Sequence, residues 1–173
     1  MKKNIFYLII LLFFTFIFTI FYIGLDKPNF YTPKEIKNKS LEEFTSTELF
    51  SNEQFSSNNI IENNKFTLIN IWSSWCVPCR LEHSVLMDLS EKTDLNIVGL
   101  NYKDKKNNAI KFLNELGNPF SKILTDPDGI ISISLGAYGV PETLLLNNKS
   151  KIIRKYIGPL TKENILEIIK IIK

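Results

Sequence analysis

The residues best suited to chemistry in this sequence are its two cysteines, Cys76 and Cys79, which enclose Val77 and Pro78. Two thiols at i and i+3 can close into a disulfide and reopen with little backbone movement. A structural staple normally closes a much longer loop, because the entropy it removes from the unfolded chain grows with loop length. The pair therefore reads as redox-active. Metal binding is a minor reading. A tetrahedral zinc site needs four ligands, whereas Cys76, Cys79 and His83, the only histidine, supply at most three. No metal is expected, and no cofactor beyond the Cys76–Cys79 disulfide itself.

Those cysteines need a strand before them and a helix after them. Phe66 to Trp72 (Phe-Thr-Leu-Ile-Asn-Ile-Trp) is a mostly apolar run of strand length, expected for a strand buried on both faces. Val77, Leu81, Val85, Leu86 and Leu89 recur at helical spacing and predict a helix over 77–91, with Pro78 suited to its first turn. Cys76 then sits at a helix N-terminus, where unpaired N–H groups and the macrodipole stabilise a thiolate. The more exposed Cys76 sulfur would attack a partner disulfide. Cys79, one turn inside, would resolve the mixed disulfide.

The rest of the chain supplies a scaffold. Residues 41–66 alternate weakly and suit short strands or a hairpin at a sheet edge. Asn96–Tyr102 reads as a second strand, and 106–116 as a helix ended by Gly117 and Pro119. Ile130–Leu135 fits either helix or strand. Thr143–Leu146 and Lys151–Ile157 read as antiparallel strands joined around Asn147-Asn148-Lys149. A helix over 161–172 closes the chain, with Thr161 as N-cap and Glu163 in its first turn. The order β-α-β-α-(short element)-β-β-α indicates an α/β fold: a mixed central sheet flanked by helices, with an antiparallel edge. Gly139-Val140-Pro141-Glu142-Thr143 precedes one strand. Alone it is an ordinary turn. Paired with the cysteines, and given the cis population of Xaa-Pro bonds, it suggests a substrate platform at Val140 and Pro141.

The N-terminus is a different material. After Lys2 and Lys3, an apolar run from Ile5 to Ile23 is broken only by Thr15 and Thr19. Nineteen residues span about 28 Å as a helix, close to the hydrocarbon thickness of a bilayer. Gly24-Leu25-Asp26-Lys27 offers no good cleavage site, which favours an uncleaved signal anchor over a removed signal peptide. The expected division is a transmembrane signal anchor at 1–25, a linker at 26–40 carrying Pro28 and Pro33, and a folded domain at 41–173. Lys2 and Lys3 would hold the N-terminus in the cytoplasm and leave the domain beyond the membrane. The net charge of the whole chain is +3. No Asp or Glu lies in residues 1–25, so residues 26–173 carry only +1, and no basic face argues for nucleic acid.

Trp75-Cys-x-x-Cys79 with a later Val140-Pro141 before a strand resembles the thioredoxin superfamily. Longer segments sharpen the likeness: Leu68 to His83, Gly99-Leu-Asn-Tyr-Lys-Asp104, Leu116-Gly-Asn-Pro119 and Gly136-Ala-Tyr-Gly-Val-Pro-Glu-Thr143. Over roughly residues 30–173 the chain is similar to the cytochrome c biogenesis thiol:disulfide interchange proteins of the CcmG or DsbE type. The resemblance implies a thioredoxin-like fold in which Pro141 is a cis proline packed against the disulfide. It implies a reductant on the periplasmic face of the inner membrane, anchored by a single span. Its partners would be apocytochrome c, whose haem-binding cysteines it reduces, or a thiol-handling maturation protein that holds them. A membrane electron donor would recharge it with electrons from cytosolic thioredoxin.

Glu82 and Glu142 match acidic residues near the active site of that branch. A nearby carboxylate disfavours the Cys76 thiolate and so the reduced form, making the pair a better electron donor. Replacing Glu142 by Gln is then expected to make the reduction potential less negative. Common thioredoxins carry a buried Asp where this chain has Asn70; Asn cannot titrate, so the base for Cys79 is left open. His83, four residues after Cys79, can share its helix face but reads as a satisfied or exposed side chain. Trp72 suits the core, and Trp75 suits shielding the disulfide. Two other functions stay open at this point: a general extracytoplasmic thiol reductant, oxidant or isomerase, and a non-catalytic, chaperone-like binding module.

Overall fold

The computed structural model describes residues 2–26, 39–61 and 64–173. The chain divides into two units, Met1–Lys34 and Glu35–Lys173. In the first, α1 (Lys2–Asp26) is helical throughout. Its stretch Lys3–Gly24 has a mean hydropathy of 2.6 with no buried residues, long and apolar enough to cross a membrane. Thr15 and Thr19 return their hydroxyls to the carbonyls of Leu11 and Thr15, at 3.0 and 2.7 Å. The two polar interruptions are thus satisfied inside the helix, as an apolar solvent requires. Residues 27–38 of the expected linker lie outside the described residues.

In the second unit a seven-stranded sheet runs in the order β2-β1-β5-β4-β3-β6-β7. Its strands are β1 (Thr45–Glu48), β2 (Gln54–Ser56), β3 (Phe66–Trp72), β4 (Asn96–Tyr102), β5 (Lys122–Asp126), β6 (Glu142–Asn147) and β7 (Ile152–Ile157). β3, β4 and β5 are parallel, whereas β6 is antiparallel to β3 and β7 to β6. The helices are α2 (Ser57–Ile61), α3 (Val77–Lys92), α4 (Lys106–Leu116), α5 (Ile130–Ser134) and α6 (Lys162–Ile172). The mixed, helix-flanked sheet has the expected architecture.

Alternation along β3 builds two cores. Leu68 and Trp72 join Leu86 and Leu89 of α3, Phe112 of α4 and Ile168 of α6. Ile69 and Ile71 face the other way, among Ile60, Ile61, Leu100 and Leu135. A strand buried on both faces therefore carries the redox loop, and a rigid base holds the cysteines. Beneath that loop, Trp72 stacks on Phe120 with ring centroids 5.6 Å apart. Gly99 makes room for the indole, since a Cβ there would lie 2.8 Å from its nitrogen. Gly117 ends α4 with φ +90°, as its place after the last apolar residue suggests.

The structure adds a strand that the sequence reading lacks. β5 lies between β4 and β1, but Lys-Ile-Leu-Thr-Asp is only five residues with polar ends. The ambiguous Ile130–Leu135 segment is a short helix, α5. It is held by Asp126, whose carboxylate accepts from the Ser132 N–H and hydroxyl at 2.8 and 2.6 Å. Thr161 caps α6 as expected, in a reciprocal box with Asn164.

Candidate redox site

Cys76 and Cys79 form a disulfide with Cα atoms 5.3 Å apart. Cys76 is the N-cap of α3, and its Sγ accepts a hydrogen bond from the Cys79 N–H at 3.1 Å. The backbone around it is fixed as well: Cys76 N–H donates to Ser73 O, and Arg80 N–H donates to Cys76 O, both at 3.2 Å. Pro78 lies in the first turn, where its missing N–H costs nothing. Both cysteines are buried, Cys76 at 5% and Cys79 at 2% exposure, so as a residue Cys76 is only slightly the more exposed. Trp75 and Val77, which flank Cys76, are by contrast well exposed.

Asp104 braces the redox loop from the end of β4. Its carboxylate accepts from the Ser74 N–H at 2.6 Å, the Ser74 hydroxyl at 2.8 Å and the Asn101 amide at 3.1 Å. The Trp75 indole donates to Lys103 O at 3.0 Å. Trp75 is therefore anchored through its nitrogen while much of its ring remains exposed.

A buried polar group lies one turn beyond Cys79. Glu82 is almost inaccessible; Oε1 accepts from Asn70 Nδ2 at 2.9 Å and Oε2 from the Leu160 N–H at 2.7 Å. Asn70 also donates to Thr143 Oγ1, directly opposite it in the β3–β6 register, at 3.0 Å. Burial pushes the Glu82 pKa up, and its two hydrogen bonds only partly offset this. Cys79 and Glu82, three apart on one helix, share a face. Asn70 itself cannot titrate; the buried titratable group it holds is Glu82.

Glu142 is arranged differently. Its Oε1 accepts from the Tyr138 and Gly139 N–H groups at 2.6 and 3.2 Å. Its Oε2 pairs with Lys155 Nζ at 2.6 Å; the Glu142 side chain is buried and that of Lys155 only 9% exposed. The opposed ammonium offsets the carboxylate's field, which weakens the expected effect of Glu142 on the Cys76 thiolate. The Val140–Pro141 peptide is cis, and Val140 packs against the cluster that contains both cysteines.

His83 is buried, its Nε2 is 3.0 Å from Gly117 O, and its ring stands edge-on to Phe112 at 4.9 Å. Burial lowers its pKa; the Gly117 carbonyl opposes the shift and the Arg80 charge adds to it. A neutral ring with Nε2–H donating to the carbonyl fits these contacts. Its support for the fold is complete above the ordinary value of 6.5 and is lost as pH falls through the lower folded value. His83→Gln is therefore expected to flatten the fall in melting temperature between about pH 7 and about pH 5, read from parallel thermal melts.

Of the residues singled out from sequence, the structure joins Cys76, Cys79, Pro78 and Trp75 in one loop-helix unit. Glu82 lies on the same helix, and Val140, Pro141 and Glu142 lie at the start of β6. The sequence alone gives no role to Asp104 or Lys155. Asp104 closes the Gly99–Asp104 segment. Lys155 carries only the weak signal of a lysine inside an apolar strand, and its partner is set by a sheet register that the sequence does not display. No group of three or more His, Cys, Asp or Glu able to hold a metal occurs among the described residues.

A mixed sheet with a Cys-x-x-Cys capping the helix after its central strand and a cis proline before an antiparallel strand defines a thioredoxin-like protein. A family profile described as Redoxin matches residues 36–169. A probable thiol:disulfide interchange protein DsbE-2 of Pasteurella multocida is 35% identical over 162 residues, covering 94% of this chain and 85% of that protein. The thiol:disulfide interchange protein CycY of Rhizobium leguminosarum bv. viciae is 48% identical over 103 residues, covering 60% of this chain. The matched stretch spans only about half of that relative's length, 55%. Among solved structures, a DsbF homologue from Corynebacterium diphtheriae has a TM-score of 0.68 at 25% identity, covering 83% of this chain and 95% of its own. The chain belongs to the Redoxin family, within the thioredoxin superfamily.

Proposed function

We propose that this chain is a membrane-anchored thiol–disulfide oxidoreductase that acts as a reductant in cytochrome c maturation. The observation that carries the chemistry is the Cys76 sulfur at the N-cap of α3, with buried Glu82 one turn beyond Cys79. In the reduced protein, the Cys76 thiolate attacks a partner disulfide, and one partner sulfur leaves as a thiolate. Glu82 takes the Cys79 proton, directly or through one water. The Cys79 thiolate then attacks the Cys76 sulfur, so the Cys76–Cys79 bond forms and the partner's second thiol is released. Two electrons pass to the partner. The cysteine pair is the whole redox element and needs no further cofactor.

In this reading residues 1–25 are the anchor, 26–40 the linker and 41–173 the redox domain. Lys2 and Lys3 keep the N-terminus cytoplasmic, so the domain faces the periplasm from the inner membrane. Trp75 beside Cys76, Val140 packed against the cysteine cluster and Pro141 receive the incoming chain, while Pro78 shapes the helix start. The partners are apocytochrome c or its thiol-handling maturation protein, and a membrane donor supplied by cytosolic thioredoxin. The relatives named as thiol:disulfide interchange proteins support this. The test is capture in the native host with Cys79→Ser. Recovery of apocytochrome c or its thiol-handling partner in mixed disulfide is expected; a broad set of unrelated secreted proteins would indicate a general thiol exchanger instead.

A further inference from the structure

The largely covered ammonium of Lys155 plays no part in the sulfur chemistry, yet its contacts converge on the segment that carries Pro141. In the β6–β7 register Leu144 faces Lys155 and Glu142 faces Ile157, so Glu142 and Lys155 are diagonal neighbours on one face. Lys155 Nζ lies 2.6 Å from Glu142 Oε2, donates to Gly136 O at 2.6 Å and sits 4.7 Å from the centroid of the Tyr138 ring. Glu142 reaches the same segment through the Tyr138 and Gly139 N–H groups. One buried ion pair therefore fixes the backbone at residues 136, 138 and 139 and one face of the Tyr138 ring. A buried pair is a weak source of stability, because desolvation offsets much of its attraction. Here its hydrogen bonds all serve a single loop.

What that loop presents is apolar. Tyr138 is 58% exposed, and Trp75, Val77, Ile130 and Ile133 are also exposed. The topology gathers them at one end of the sheet. β3 and β5 are both parallel to β4, so the segments after them, bearing Trp75 with Val77 and Ile130 with Ile133, leave the same end. β6 is antiparallel to β3, so the segment before it, bearing Tyr138, enters there too. Cys76 lies at that end.

We propose that Lys155 is the positioning residue of a recognition loop, and that Tyr138 is the side chain it presents. Tyr138 docks an aromatic or apolar residue beside the reactive cysteine of an extended, unfolded partner chain. This rests on the thiol–disulfide reading above. A tyrosine offers a large contact area at small entropy cost, and a cation against its ring holds it in place.

The test uses the full-length protein in detergent and two disulfide-bonded peptides, one with Phe and one with Ser beside its cysteine. Tyr138→Ala is expected to raise KM for the Phe peptide about tenfold, the loss of one good apolar contact. It should remove the preference over the Ser peptide while kcat and the reduction potential stay within about twofold and measurement error. Tyr138→Phe keeps the preference. Lys155→Met alone strands a buried carboxylate and can fail to fold, so Lys155→Met combined with Glu142→Gln removes the pair together. That double variant should show the same rise in KM. An unchanged KM in Tyr138→Ala would overturn the proposal, as would a parallel fall in kcat for both peptides. A wild-type protein that reduces neither peptide would instead overturn the oxidoreductase reading on which it rests.

Discussion

Cys76→Ser is expected to bring disulfide exchange down to the uncatalysed level with every substrate, whereas Cys79→Ser performs one attack and stops. The two sulfurs differ in role because of their place on α3. Cys76 sits at the N-cap and its sulfur accepts the Cys79 N–H, so the negative charge of an attacking thiolate is met by a helix N-terminus. Serine is a favoured N-cap residue, so Cys76→Ser keeps the helix start while removing the nucleophile. Loss of activity without loss of structure is therefore the expected pair of observations. In Cys79→Ser the first step survives and the mixed disulfide has no internal thiol to resolve it. Intact mass spectrometry after mixing with a disulfide peptide should show a stable one-to-one adduct for Cys79→Ser and none for Cys76→Ser. Steady turnover in Cys79→Ser would show that resolution does not depend on the second cysteine.

Glu82→Gln is expected to slow resolution of the mixed disulfide by about a hundredfold at neutral pH, the ordinary scale for a lost general base. Attack by Cys76 should be nearly unaffected. The substitution suits the site. The new carbonyl can accept from the Leu160 N–H, and the new amide can donate to Asn70 once that side chain turns over. Asn70 Oδ1 is buried without a partner in the wild type; after the turn it accepts from the new amide and from the Thr143 hydroxyl, and the Asn70 amide nitrogen takes the unpartnered place. Linkage adds a second signature. Because burial raises the Glu82 pKa, the fold favours its neutral form. Its contribution to stability is complete below the ordinary value of 4.5 and is lost as pH rises through the folded value. Glu82→Gln should therefore gain melting temperature relative to wild type as pH rises, while losing rate. Rapid-mixing kinetics that separate attack from resolution check the first claim, and thermal melts across pH check the second. Equal slowing of both steps would assign Glu82 to the environment of Cys76 instead.

Much of the redox unit was legible because its signals are local. The apolar run to Trp72, the helical spacing after Cys76 and Pro78 in the first turn all act within a few residues. The end of α4 at Gly117 and the cap at Thr161 are legible for the same reason. β5 was not, since its burial depends on neighbours on both sides rather than on its own short pattern. Glu82 and Glu142 were recognised together as acids near the cysteines, but only the fold separates them. Glu82 faces Asn70 across from α3, and Glu142 faces Lys155 across a strand pair. Such differences arise from contacts between residues 12 and 13 positions apart, where sequence gives residue types but not which of them meet.

The direction of electron flow is the centre of the proposed function, and it has a physical basis in the site. Cys76 is buried in an apolar cluster, which withdraws water from its thiolate. That destabilises the reduced form against the pull of the helix N-terminus. Equilibration of the full-length protein with glutathione redox buffers, followed by quantifying the Cys76–Cys79 disulfide, measures the balance directly. A potential more negative than about −180 mV, on the reducing side of a disulfide isomerase, is the result expected of an electron donor. A value near about −120 mV, that of a dedicated oxidant, would contradict it.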